Sequence, residues 1–510
     1  MAQIRKKMSE AIKEPSQNDD DLKNLVIKSL VWIGGMKYLG QIYSWAITIL
    51  VIRILNPGDY GLMSMASVCI NFLVMISELG LGAAIIQKKE IDKDKLSQVF
   101  GFILLSHAVL FCGLFFGSPL IAKFFSEPRL ILILQVLSLN FISLALYVIP
   151  RSILMREMDF KKRSLIDLIA TVLSVSLTLG MALSGYGVWS LVWASIVNNA
   201  IQMIGYNLVA PVLLLPKFGV GGIREFVSFG AYTMGSRILW YFYSRSDIFI
   251  AGRIMGNQLL GIYSVALELS QIPLDKFMPI VNQVAFPAYS RIQSDLKLVS
   301  SHFLKATRIA SLILFPAFWG LAAIAPEILG WLLGDKWADV ILPVQMMCLI
   351  MPFFALGTLI SPMLYGIGRV DIAFGYVAIA SLIMPLSFLI GCKYAGVIGL
   401  CLGWVVGYTI VFFITLKLSL PLIDLSILNF LSQIAVAFSA SCGMAAVLFG
   451  IKYLLHSFLP MSLTSCILII IGIMSYPALV FRIKKEAFHE VWYLIPGNAK
   501  IETFIKNVCN

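Results

Sequence analysis

The sequence predicts an all-α polytopic membrane protein of about fourteen transmembrane helices, two parallel-repeat six-helix lobes plus two C-terminal helices. Three observations predict it. First, 59% of the 510 residues are hydrophobic and only 13% are charged, a balance too apolar for a soluble chain of this length. Second, apolar runs of roughly 18 residues or more recur along the chain, each long enough to cross a hydrocarbon core. Third, the chain matches itself at an offset of 200. Residues 35–66 and 235–266 share, without a gap, Gly35/Gly235, Leu39/Leu239, Tyr43/Tyr243, Ser44/Ser244, Arg53/Arg253, Ile54/Ile254, Gly61/Gly261, Ser64/Ser264 and Ala66/Ala266. Lys37 falls opposite Arg237, so each copy carries a cation in the middle of its first span.

The elements follow in chain order. Residues 1–24 form a polar, charged tail without the apolar core or small-residue cleavage site of a signal peptide, so the first span serves as the insertion signal. Spans are expected near 25–52, 60–86, 97–120, 130–155, 164–184, 187–209, 226–250, 258–290, 303–326, 338–363, 370–392, 397–418, 429–452 and 459–481. Asn56-Pro57-Gly58-Asp59, Ser184-Gly185-Tyr186-Gly187 and Gly334-Asp335-Lys336 read as turns between them. The formal charge of +12 follows the rule that cytoplasmic loops collect Lys and Arg. Lys88, Lys89, Lys161, Lys162, Arg163, Arg291, Lys297 and Arg369 lie on one side, and few basic residues lie on the other. Both termini are therefore expected in the cytoplasm.

Six helices separate the two copies, so both enter the membrane in the same direction. The expected layout is an N-lobe at 25–209, a linker at 210–225, a C-lobe at 226–420, a last helix pair at 421–482 and a cytoplasmic tail at 483–510.

A charge at the bilayer centre costs about 2.5–3.5 kcal/mol on insertion scales, so such residues face a protein interior or a watery cavity. Two lobes meeting face to face enclose one, and their first helices are natural walls. Lys37, Arg237 and Arg245 are the candidate substrate-binding cations, suited to a phosphate or pyrophosphate that must cross the membrane. Gln41 and Asp247 are further candidate wall residues. Glu78, Glu268, Asp275 and Lys276 interrupt apolar spans. For the three acids two readings stand open, coupling to Na+ or H+ and structural ion pairing. Arg151, after Pro150 and close to the inner surface, is expected to snorkel. The glycine steps Gly399–Gly403 and Gly403–Gly407 are expected packing seams.

The eight cysteines and four histidines show no metal-ligand spacing, and there is no Walker lysine motif. No cofactor and no catalytic residue is expected. No loop offers the room that acid–base chemistry outside the membrane would need.

The stretches VIRILNPGDYGLMSMA (51–66), ISELGLGAAIIQKKE (76–90) and VNQVAFPAYSRIQSD (281–295) resemble Wzx-type polysaccharide flippases of the multidrug/oligosaccharidyl-lipid/polysaccharide exporter superfamily, nearest to the WzxC-like, colanic-acid-type subgroup. The resemblance implies alternating access between two six-helix lobes. It implies an undecaprenyl-pyrophosphate-linked oligosaccharide as substrate, flipped across a bacterial inner membrane, with polysaccharide polymerase and chain-length machinery as partners. The alternatives are a cation-coupled multidrug exporter of the same superfamily, a polysaccharide polymerase or ligase, and a non-transporting scaffold.

Overall fold

A computed structural model describes residues 40–77, 93–157, 159–211, 214–218, 224–455 and 459–487, with the backbone alone at 93, 224–237, 280 and 283. Among the described residues the regular structure is all helix, with no strand. The helices are α1 Gly40–Ile54, α2 Pro57–Ser77, α3 Lys93–Phe125, α4 Leu130–Arg156, α5 Phe160–Leu183 and α6 Val188–Val209. The continuous helix Arg224–Arg291 breaks at Gly256 (φ 74°) into α7 (224–255) and α8 (257–291). Then come α9 Leu296–Leu333 and α10 Asp335–Gly366. The segment Val370–Ile423 breaks at Ala395 and Gly396 into α11 (370–394) and α12 (397–423). Last are α13 Ile427–Leu455 and α14 Met461–Ile483.

Nine segments among the described residues are long and apolar enough to cross a membrane. The sequence expectation of fourteen is thus not reached by length and apolarity alone. Arg224–Arg291 is not one of the nine because Arg245, Asp247, Arg253, Glu268, Asp275 and Lys276 dilute its apolar windows.

Helix ends follow local chemistry. Asn56-Pro57-Gly58-Asp59, expected as a turn, instead starts α2. Proline suits the first helical position, and the Asp59 carboxylate accepts the Asn56 N–H at 3.1 Å. Asp159 caps α5, accepting the Lys162 N–H at 3.2 Å and pairing with Lys162 Nζ at 2.7 Å. Burial pushes the Asp159 pKa up, but these bonds from Lys162 outweigh it and hold the carboxyl below its ordinary value. Ser126 (φ 56°) closes α3 and Gly334 (φ 79°) closes α9, both in the left-handed region.

The described residues form two compact units. The first takes those within Met1–Ile54, Cys69–Ala122 and Pro128–Met234; the second takes Leu55–Val68, Lys123–Glu127 and Gly235–Asn510. In the first, Val99, Ile103, Ala145 and Ile149 join α3 to α4. Tyr147, Leu154, Ile166 and Tyr206 join α4, α5 and α6. A polar ladder runs beside them: Asn199 Nδ2 donates to Asn140 Oδ1 at 2.9 Å, and Asn140 Nδ2 donates to Ser195 Oγ at 3.1 Å. Neutral amide pairs of this kind satisfy each other without charge and suit helix contacts inside lipid.

In the second unit an aromatic chain, Phe353–Phe412–Phe430–Phe303, ties α9, α10, α12 and α13 together at centroid spacings of 5.8–6.0 Å. Two glycine contacts set the closest backbone approaches. A Cβ on Gly61 would lie 1.8 Å from the Asn257 carbonyl oxygen, and one on Gly261 would lie 1.7 Å from that of Pro57. The contact is reciprocal across the repeat, since 57 matches 257 and 61 matches 261. Gly391 and Gly399 do the same for α11 and α12. Gly403 and Gly407 lie against Ser387, so the expected glycine seam is where these two helices meet.

Candidate functional site

Charged side chains concentrate on α7 and α8, which share the second unit from Gly235 onward. Arg245 is half-buried on α7. Two residues on, Asp247 is wholly buried. The Asp247 carboxylate accepts the Tyr263 hydroxyl at 2.6 Å and its neighbour's backbone, Ile248 N–H, at 2.8 Å. Tyr263 in turn accepts Trp404 Nε1–H at 2.7 Å. Trp404 sits in a π-helical turn, Gly403–Gly407, that interrupts α12. Such a turn inserts one extra residue and re-aims the side chains around it. A buried carboxylate is thus held by neutral donors, with no ion pair within 4 Å among the described residues.

Arg245 lies within electrostatic reach of Asp247 on its own helix and of Asp275 on α8. Asp275 is exposed and interacts with Lys276 and with Glu268. Glu268, two turns away on the same face of α8, is also exposed, and Tyr60 of α2 feels its charge.

The expected residues divide accordingly. Arg245, Asp247, Glu268, Asp275 and Lys276 come together on α7 and α8. Asp247 lies behind the surface rather than on it, since none of it is exposed. Gln41 is half-buried on α1 in the first unit. Lys37 and Glu78 lie outside the described residues, and for Arg237 only the backbone, on α7, is described. Among the described side chains in the middle of α7 and α8, the acids Asp247, Glu268 and Asp275 outnumber the bases Arg245 and Lys276.

Sequence reasoning missed Tyr263 and Trp404. The signal was present: a tryptophan between two packing glycines still carries an N–H that needs an acceptor when buried. It also missed an apolar cavity of about 500 Å³. Pro273 of α8, Pro316 and Gly320 of α9, Met444 of α13 and Gly472 and Tyr476 of α14 line it, so the last two helices contribute to its wall. Polar pins hold those helices against α9. Arg308 Nη1 donates to Gln433 Oε1 at 2.6 Å, Tyr476 donates to the Leu312 carbonyl at 2.9 Å, and Lys452 pairs with Glu327 at 2.7 Å. A cavity between pinned helices is pre-formed, as ligand sites usually are.

Fold and site define a multi-pass, all-helical membrane protein that carries opposed charges and an apolar cavity among its embedded helices. The chain belongs to the polysaccharide biosynthesis protein family whose model matches residues 50–342. It is 27% identical to the lipopolysaccharide biosynthesis protein WzxC of Escherichia coli (strain K12), over 69% of this chain and 72% of that one. It is 27% identical to the succinoglycan biosynthesis transport protein ExoT of Rhizobium meliloti (strain 1021), over 56% and 58%. Its fold is that of the lipid II flippase MurJ in an inward closed conformation, with a TM-score of 0.70 at 16% identity over 89% of this chain and 99% of that one.

Proposed function

We propose that the chain flips a polyprenyl-pyrophosphate-linked oligosaccharide, undecaprenyl-linked in a bacterium, from the cytoplasmic to the outer leaflet of the inner membrane by alternating access, and performs no catalysis itself. Membership of a polysaccharide biosynthesis family carries the reading, because it fixes the product class. Two physical features support it. The substrate has an apolar tail, and the 500 Å³ cavity between α8, α9, α13 and α14 is lined almost wholly by apolar groups. The substrate has an anionic head, and Arg245, Arg237 and Lys37 are the cations assigned to it. Gln41 is assigned to the same substrate. Both termini are assigned to the cytoplasm, a placement that the Lys and Arg bias of the sequence supports. Polymerase and chain-length partners act on the delivered units.

The acids favour one addition. Glu268 and Asp275, exposed on one face of α8, and Glu78 on the second span are assigned to Na+ or H+ coupling. The same acids support a second reading, a cation-coupled exporter of cationic drugs, for which acidic walls are the better match.

One experiment tests the flipping reading. Cells depleted of the protein are extracted, and the leaflet of any accumulated pyrophosphate-linked oligosaccharide is determined. Accumulation on the cytoplasmic leaflet with loss of surface polysaccharide is the expected result. Accumulation on the outer leaflet points to a polymerase or ligase step. Intact surface polysaccharide without accumulation sinks the reading. Arg245→Glu then separates the rival: export of cationic dyes improved by that change belongs to the exporter.

A further inference from the structure

The first unit holds a separate polar site where α4, α5 and α6 meet. Pro150 lacks the N–H that would bond the Leu146 carbonyl. Asn207 of α6 supplies the missing donor, its Nδ2 donating to Leu146 O at 3.1 Å and to Met203 O at 2.8 Å. Tyr147 stacks on Tyr206 at a centroid distance of 5.7 Å. The Tyr206 hydroxyl donates to Asp167 Oδ1 at 2.8 Å, and Arg163 Nε lies 3.7 Å from Asp167 Oδ2. Both oxygens of this carboxylate are therefore engaged.

Arg151 follows the proline and shares the cluster, since its charge reaches the Tyr206 hydroxyl. Its Nε is buried and has no hydrogen-bond partner. Among the described residues no carboxylate forms an ion pair with it. Two arginines against one aspartate leave one positive charge in excess, and a buried charged donor without an acceptor is costly. An oxyanion with several acceptor oxygens answers both deficits, and a guanidinium fork matches phosphate. Depth narrows the ligand. Arg151 lies five residues, about 7.5 Å of helix rise, from the α4 end at Arg156, beside Lys161 and Lys162. That is the level of a lipid headgroup on the Lys- and Arg-rich side of the membrane.

We propose that Arg151 anchors an oxyanion site for a phosphate or pyrophosphate group carried on a lipid. The site stands whether or not the chain flips oligosaccharides, because a polyprenyl pyrophosphate and an anionic phospholipid present the same chemistry.

The test uses the full-length protein in a neutral detergent and two probes, farnesyl pyrophosphate and short-chain phosphatidylglycerol, titrated by thermophoresis. Arg151→Gln weakens at least one probe about tenfold or more, and Arg151→Lys weakens it less, keeping charge but losing the fork. Asp167→Asn removes the competing negative charge and leaves Tyr206 an acceptor, so it tightens the same probe, about threefold. Opposite signs separate a binding effect from misfolding, which weakens binding in both variants. Loss confined to farnesyl pyrophosphate assigns the site to the transported lipid; loss confined to phosphatidylglycerol assigns it to the bilayer. The proposal is overturned if Arg151→Gln binds both probes within about twofold of wild type, or if Asp167→Asn weakens binding as Arg151→Gln does.

Discussion

Alanine at Gly61 or Gly261 tests the seam between α2 and α8, and its cost is readable from distances. The added Cβ would stand 1.8 Å from the Asn257 carbonyl oxygen in one case and 1.7 Å from that of Pro57 in the other, where ordinary contact begins at 3.4 Å. Each methyl therefore demands that the backbones part by about 1.6 Å. The obstacles are main-chain atoms inside helices, so no rotamer change relieves them. Overpacking typically costs about 1–3 kcal/mol, and a rigid obstacle puts each substitution near about 3 kcal/mol. The contact is reciprocal, so both changes push apart the same two backbones. Once the first has opened the seam, the second finds it open. The double variant should cost closer to one substitution than to two, a coupling that independent sites lack. Thermal unfolding of the purified protein, followed by tryptophan fluorescence, measures all three. Gly113→Ala and Gly117→Ala serve as controls, because a Cβ there meets nothing within 4 Å and alanine gains up to about 1 kcal/mol of helix propensity. Single variants as stable as wild type, or a double variant costing the full sum, would refute a shared seam.

Three further outcomes are expected. Lys452→Met strands the Glu327 carboxylate, which is 9% exposed beside a lysine that is 22% exposed. It should lower stability by about 3 kcal/mol, with Glu327→Gln/Lys452→Met recovering most of the loss in the same melt. Tyr263→Phe removes the hydroxyl that donates to the buried Asp247 carboxylate at 2.6 Å and should cost about 2–3 kcal/mol. Trp404→Phe, one bond further out, should cost nearer 1 kcal/mol, an order that equal melting shifts would contradict. Asp159→Ala should cost about 1 kcal/mol as a lost helix cap. The folded pKa of Asp159 is depressed, so the cap's contribution is full above the unfolded carboxylate pKa and is lost as pH falls through the folded value. A pH series of melts on wild type and Asp159→Asn reads that difference, which should vanish at low pH.

Helix positions were readable in the sequence because lipid permits few alternatives: every backbone group must be bonded within its own segment, and apolar runs mark where. The repeat was only partly readable. The gapless match at offset 200 ends at Ala66/Ala266, yet the chain repeats further on. Gly187 opens α6 at φ 54°, ψ −132°, and Gly396 opens α12 at φ 54°, ψ −129°. A valine follows each glycine, and the pair is 209 apart rather than 200. The drift has a physical source, since α9 runs 38 residues where α3 runs 33, so five of the nine extra positions are helix. A repeat whose copies differ in helix length keeps its turn geometry and loses its register, which a gapless comparison cannot follow. The site was legible to a similar depth. Charges inside apolar spans announce themselves by their cost, and Arg245, Glu268 and Asp275 do lie on adjoining helices. What held Asp247 did not show, because Tyr263 and Trp404 are apolar by bulk and polar only at one atom. Arg151 failed to stand out for the opposite reason. An arginine near a helix end has an ordinary explanation in snorkelling, and only the folded structure reveals that its Nε is buried while the Asp167 carboxylate of the same cluster is already bound by Tyr206 and Arg163.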